Sequence, residues 1–519
     1  MIDLSTAAVI TAASSGPASW VVVAVTVFAF VGALIAATRT QKVSWTGGSS
    51  RLGTTQPNAT YREPRQTQWL NRALLFVLAG YILFDRPFAW LHLPGTPLFI
   101  GEMVIALGIA VILTTDTRLP QLIRSSSSLR VLRTFILWGA ALLAIGILPY
   151  GLDAIRDSAI WYYGIVAFFV VILFVSRPNR VNEWMVAFAR LLPIYLIWYP
   201  FATVLHRVVG DSMYVPDSEV PLFFHRSGNM AVLSAIGIAF LWMADGDSKL
   251  FTSRQRAWLT ALATLVIGFT GLQNRGGMVS SAVLIAALMF LLSRRRTEML
   301  TMMMGIVVFF ATVGIVFDVK IELFDDRDIS IEQFANNITS IFDQDAGGQR
   351  QTETTAWRIK IWEQVLDDVT NETPIMGFGP GPDLGERYDI STDPTHPLRN
   401  PHNSHVGVLA RMGWVGIILW AMLWLTWMAE MQTLRRRLRY RDRPRESALV
   451  SWLMLAPIPI LVNAIFDPTL EGAQVSFLLW AFFGSGAALV ILAQQNRFPS
   501  LVESKASPDP GAKSRIAVG

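Results

Sequence analysis

Two arginines and a histidine carry the chemistry this sequence is equipped to perform. Arg226 stands in His225-Arg226-Ser-Gly-Asn229, Arg275 in Gln273-Asn274-Arg275-Gly-Gly277, and His402 in Asn400-Pro-His-Asn-Ser-His405. A guanidinium is a planar fork that takes phosphate oxygens two at a time. An imidazole exchanges a proton near neutral pH. Arginines and a histidine facing one cavity would therefore suit a membrane-borne diphosphate.

Each residue also has a plainer reading. A single arginine near a membrane boundary is an interface anchor that snorkels to the headgroups. Asn274, Gly276 and Gly277 argue for more at Arg275, because they make a polar, close-approach turn suited to an enclosed site. A lone histidine at a helix start is usually a capping or hydrogen-bonding group. Asn403 and Ser404 can cap the helix that follows, whose free N–H groups favour anions. His402 and His405 could chelate a metal, but two histidines without a carboxylate at set spacing are a weak signal. The absence of cysteine excludes disulfides, thiolate sites and thiol nucleophiles. Arg86, Asp153, Arg156, Asp157, His206, Arg207, Arg358, Asp467 and Glu471 are each most simply solvated loop residues.

The elements that would position these groups are membrane helices. Hydrophobic residues make up 52% of the 519 and charged residues only 16%, with mean hydropathy +0.43. A soluble domain carries roughly 25% charged residues. The apolar runs fall at 19–37, 69–84, 97–113, 133–149, 158–175, 184–205, 227–244, 257–272, 277–292, 299–317, 403–429, 448–466 and 473–492. Most hold 17 residues or more, the length that crosses a hydrocarbon core of about 30 Å. The reading is an all-α integral membrane protein of about 12–13 transmembrane helices with one large extracytoplasmic loop.

Lys and Arg crowd alternate connections, most densely from Arg435 to Arg445. The positive-inside rule then puts the N-terminus outside and the C-terminus in the cytoplasm. Ser19–Thr38 reads as a retained first helix, since no basic residue precedes it as a signal peptide requires. The organisation is a first helix and basic linker at 1–68, a bundle at 69–317, the large loop at 318–402, C-terminal helices at 403–495 and a disordered cytoplasmic tail at 496–519. Within the loop, 354–370 places Trp357, Ile361, Trp362, Val365, Leu366 and Val369 at helical spacing. That amphipathic helix, capped by Thr354 or Thr355, would lie on the membrane interface or over the mouth of the bundle. Arg275 falls midway between Arg254/Arg256 and Arg294–Arg296, which makes it the tip of a helical hairpin.

These residues resemble the O-antigen ligase / O-antigen polymerase (Wzy-type) superfamily of membrane glycosyltransferases. Pro401-His402-Asn403-Ser404 running into Val408-Leu-Ala-Arg-Met-Gly413-Trp-Val-Gly416 looks like the family's His-Asn segment. Asn274-Arg275-Gly276 looks like its Ser-Arg-Gly segment, with Asn for Ser, and Arg226-Ser-Gly228-Asn229 resembles a shortened upstream arginine segment. Trp357-Arg358, Trp362, Pro374 and Gly377-Phe-Gly-Pro-Gly381 resemble the loop before the histidine. The resemblance implies metal-independent, inverting transfer of a glycan from an undecaprenyl-diphosphate carrier, with no cofactor, at the outer face of the bacterial cytoplasmic membrane. Arg226 and Arg275 would bind the diphosphate, and His402 would orient or deprotonate the acceptor hydroxyl. Arg358, Asn274, Asn403 and His405 would line the substrate site. The implied partners are a polyprenyl-diphosphate-linked glycan donor, a glycan or lipid acceptor and membrane lipids, with no nucleic acid. Ligase and polymerase remain open, as do a protein O-glycosyltransferase and a lipid-linked sugar transporter or flippase. A transporter should carry charged or broken helices near the midplane and repeats relating its halves, whereas the ionisable residues here lie at the boundary.

Overall fold

The computed structural model describes residues 64–96, 98–115, 117–209, 212–244, 250–292, 297–305, 321–323, 327–329, 349–389 and 399–499. The apolar run at 19–37, most of the acidic stretch after Phe317 and the tail from Ser500 lie outside the described residues.

Of the apolar run 299–317 only 299–305 is described, as helix. The described apolar runs become helices in the expected order. They are α1 (Arg65–Ala89), α2 (Ile100–Thr114), α3 (Leu119–Ser125), α4 (Ser127–Tyr150), α5 (Ala159–Ser176), α6 (Arg180–Val209) and α7 (Ser227–Ala244). The hairpin of α8 (Ser253–Gln273) and α9 (Arg275–Leu291) follows. The loop contributes a short antiparallel pair, Ile321–Leu323 with Arg327–Ile329, and α10 (Gln349–Glu372). The last helices are α11 (Ser404–Tyr440), α12 (Pro444–Phe466) and α13 (Ala473–Gln494). Among the described residues, 8 helices are long and apolar enough to cross a membrane, or 9 if the bent pair α2 and α3 forms one span. The chain is an all-α, multi-pass integral membrane protein.

A helix apolar on every side belongs in the middle of such a bundle. α13 is wholly buried, and it meets α5, itself 94% buried, through Gly484. A Cβ there would lie 2.6 Å from the carbonyl oxygen of Ala167. Small residues permit this close approach, which replaces hydrophobic driving force with packing. Trp420, Trp424, Trp427, Trp480 and Phe483 interlock around it with ring centroids 5.6–6.1 Å apart.

The loop is bolted onto this bundle. α10 starts at Gln349, earlier than the expected 354, so Thr354 and Thr355 are interior to the helix and do not cap it. Its apolar face does not lie free on an interface. Ile361, Val365 and Val369 are buried with Leu384, Leu409 and Ala410, over the start of α11. α11 is broken at Gly413, whose φ of 64° suits glycine. Ala410 O there accepts from Phe378 N at 2.7 Å, while Trp414 N donates to Pro374 O at 2.8 Å. The turn-rich segment 374–378 thus supplies the hydrogen bonds that the helix gives up.

Candidate active site

At one end of the bundle, four chain segments converge. Asp85 breaks α1 with φ 47° and ψ −123° and is buried. Its carboxylate accepts from the backbone N–H of Arg226 at 2.7 Å and from Asn229 Nδ2 at 2.9 Å. Arg226 is the N-cap of α7, as its position predicts. The His225 ring lies 2.8 Å from the carbonyl oxygen of Leu83, so the entry to α7 is tied twice to the end of α1.

The α8–α9 tip supplies Arg275 as the first residue of α9. Asn274 caps that helix through Oδ1, accepting from Gly277 N at 2.8 Å. The glycines beside it are required by contact. A Cβ on Gly276 would lie 2.6 Å from that of Phe466, and one on Gly277 would lie 2.9 Å from Cα of Gly228. The motif glycines therefore let α7, α9 and the end of α12 approach closely enough to place Arg226 and Arg275 at one end of the bundle.

His402 lies just before α11, with a positive φ of 52°. Histidine is enriched among the few residue types that adopt this region, and such backbone outliers concentrate at functional sites. Its ring meets Trp357 of α10 edge to face at 5.7 Å. Nε2 is buried with no hydrogen-bond partner among the described residues. Burial pushes its pKa down to about 4, and the positive charges of Arg358 and Arg226 add to the effect against the pull of Asp467. The imidazole is thus neutral at pH 7.

Arg358 projects from α10 toward the same place. It donates to Phe466 O at 3.3 Å, and its Nε is buried without a partner among the described residues. Burial lowers its pKa, with Asp467 opposing and Arg275 reinforcing. Arg86 lies close enough for the charges of Arg226 and Asp467 to act on it. Arg86, Arg226, Arg275, Arg358 and His402 thus share one electrostatic neighbourhood, linked through Asp467. Asp85 is occupied with Arg226 N and Asn229. A surplus of positive charge held where water is scarce is suited to an anion.

Three of the residues expected to line the substrate site have hydrogen-bond partners within the protein. Asn274 and Asn403 spend their side-chain oxygens as helix caps, Asn403 accepting from His405 N at 2.9 Å and Val406 N at 3.2 Å. His405 points into the bundle, with Nε2 2.9 Å from Leu461 O and Nδ1 accepting from Trp420 Nε1 at 3.1 Å. With both ring nitrogens engaged, His405 cannot join His402 in a chelate. Sequence reasoning passed over Asp85 and read Asp467 as a solvated loop residue. An Asp next to Arg-Pro at the end of an apolar run was the available signal for the first.

A second charged cluster lies beside the first. Arg411 of α11 pairs with Asp157 at 2.8 Å and donates to Pro382 O at 2.6 Å. Arg399 pairs with Asp383 at 2.9 Å and Asp153 at 3.5 Å, and donates to Gly381 O at 3.0 Å. Asp157 accepts from Gly381 N at 3.0 Å. Burial raises the Asp157 carboxyl. It pushes Glu471 up to about 7, with the charge of Asp157 adding to the rise. This network fastens the Gly-Pro segment to the bundle.

The sequence profile of the O-antigen ligase family matches residues 259–421, a segment that holds Arg275, Arg358, His402 and Arg411. The chain carries an O-antigen ligase domain. That match supports membership of the O-antigen ligase/polymerase superfamily and, in general terms, a glycosyltransferase activity of that type. No curated protein matches the chain in a sequence comparison. Arg226, Asp85 and Asp467 fall outside the matched O-antigen ligase segment, yet the fold brings all three to it.

Proposed function

We propose that this protein transfers a glycan from a polyprenyl-diphosphate carrier to an acceptor hydroxyl at the outer face of the bacterial cytoplasmic membrane. The observation that carries this reading is the His402 ring, with a buried, unpartnered Nε2 within reach of the charges of Arg226, Arg358 and Asp467. A neutral imidazole there accepts a proton; cationic groups around it accept a leaving diphosphate.

The chemistry balances without a cofactor. The acceptor oxygen attacks the anomeric carbon from the face opposite the diphosphate. The bond from that carbon to the phosphate oxygen breaks, and its electron pair leaves on the diphosphate. The acceptor proton passes to His402 Nε2. Arg226, Arg275 and Arg358 take the charge that grows on the leaving group, in a site already organised for it. Attack from the opposite face inverts the anomeric configuration. Asp85 acts as a positioning residue, because it holds the backbone of Arg226 and the side chain of Asn229. Asn274 and Asn403 act likewise by capping the helices that bear Arg275 and follow His402. The basic loops face the cytoplasm, as does the C-terminus, and the site faces the other way.

The test is His402→Ala and His402→Gln in cells, with protein level checked. The expected result is loss of transferred glycan with lipid-linked precursor accumulating. Normal glycan in both variants overturns the proposal.

A further inference from the structure

An apolar cleft lies far from this chemistry. It lies between α1, α6, α12 and α13, has a volume of about 270 Å³, and is walled by Leu78, Ile82, Phe188, Trp452 and Phe482. Its walls come from the halves of α6 and α12 nearer the basic end, since Trp452 is eight residues into a helix that starts at Pro444. Among these apolar walls stands a single charge, Arg190.

Arg190 is exposed and makes no hydrogen bond or ion pair among the described residues. It sits six residues beyond Trp184, whose indole donates to Asn71 Oδ1 at 2.9 Å. At about 1.5 Å per residue that is about 9 Å deeper along the helix. An unpaired arginine at this depth is costly in hydrocarbon unless an anion reaches it or it snorkels to one. Three arginines nearer the end of the bundle have partners within the protein. Arg177 pairs with Glu183 at 2.8 Å, Arg443 with Glu446 at 2.7 Å, and Arg180 donates to Leu173 O at 3.1 Å.

We infer that this cleft binds one anionic glycerophospholipid of the leaflet at the basic end, with an acyl chain between α1, α6, α12 and α13 and the headgroup phosphate on Arg190. A single apolar slot with one guanidinium at its side matches a single chain under a single phosphate. The diphosphate site lies at the opposite end, so the two are separate ligands. This site does not depend on the catalytic reading.

The test uses the full chain purified in mild detergent, with phosphatidylglycerol or phosphatidylcholine added and bound lipid counted by native mass spectrometry. The intact protein should hold one phosphatidylglycerol about tenfold more tightly than phosphatidylcholine, the factor expected of a charge-assisted hydrogen bond. Arg190→Ala should abolish that preference. Ala187→Phe, which fills the cleft, should expel the lipid with the charge left in place. Arg72→Ala is the control, because Arg72 stacks on Trp69 at 5.7 Å and does not line the cleft. Equal retention by Arg190→Ala and the intact protein overturns the inference. So does equal loss in Arg72→Ala, equal binding of phosphatidylcholine, or a polyprenyl phosphate as the lipid that co-purifies.

Discussion

The two charged clusters at the site end use the same residue types for opposite purposes. Around Arg411 and Arg399, every guanidinium meets a carboxylate or a carbonyl: Asp157 at 2.8 Å, Asp383 at 2.9 Å, Pro382 O at 2.6 Å. Around His402, positive groups outnumber the carboxylates that face them, and both His402 Nε2 and Arg358 Nε are buried without partners among the described residues. Arg399 Nε is also buried without a partner among the described residues, so the difference lies in charge balance: a network of paired charges holds structure, and a surplus of one sign suits a ligand. The difference also tells which variants should cost activity and which should cost folding.

The largest effect is expected where the cluster with surplus positive charge loses a cation. Arg226→Ala should lower the rate of glycan transfer by about 100- to 1,000-fold, the usual cost of one preorganised charge-stabilising group. Thermal unfolding of the purified protein should barely move. Arg411→Ala should do the reverse. Removing one member of a buried pair costs about 3–5 kcal/mol, so unfolding should shift sharply down, with activity following only through lost protein. Equal behaviour of the two variants would erase the distinction between the clusters.

Asp85→Asn sharpens the comparison, because Asp85 belongs to the reactive cluster but is satisfied. Its carboxylate orients Arg226 through that residue's own N–H. A neutral amide keeps the shape and weakens that bond. About tenfold loss in kcat/KM is expected, comparable to one charge-assisted hydrogen bond, and Asp85→Ala should be worse. If the isosteric variant transfers glycan normally, the position of Arg226 does not depend on this contact.

The smallest effect is in pH. His402 works as a base when neutral, and its pKa is pushed down to about 4 by burial and by Arg358. The charged form is the one disfavoured, so the active form persists as pH falls through the ordinary histidine range. The kcat/KM profile should therefore stay flat from pH 8 to about 5 and fall only near 4. Arg358→Ala removes a positive neighbour and should move the acid limb upward. An acid limb near 6.5 in the intact protein would contradict this assignment.

The hydropathy runs made the bundle legible because a membrane leaves few alternatives to an apolar helix. The tip at Asn274-Arg275 and the start of α11 were readable for the same reason, through caps and charge placement. The pairing of Asp85 with Arg226 was not, since 141 residues separate them and each looks ordinary alone. Arg411 interrupts an apolar helix, which marks it as special but does not name Asp157 as its partner. His405 resembled His402 by type and spacing. Only three-dimensional contact shows that one ring is occupied and the other is open.

The most direct measurement is turnover in proteoliposomes with a labelled polyprenyl-diphosphate oligosaccharide and a hydroxyl acceptor. The account predicts that glycan transfer and free polyprenyl diphosphate appear in equal amounts, and that Arg226→Ala/Arg275→Ala, folded and inserted, releases neither. Transfer by the double variant at the intact protein's rate would contradict it.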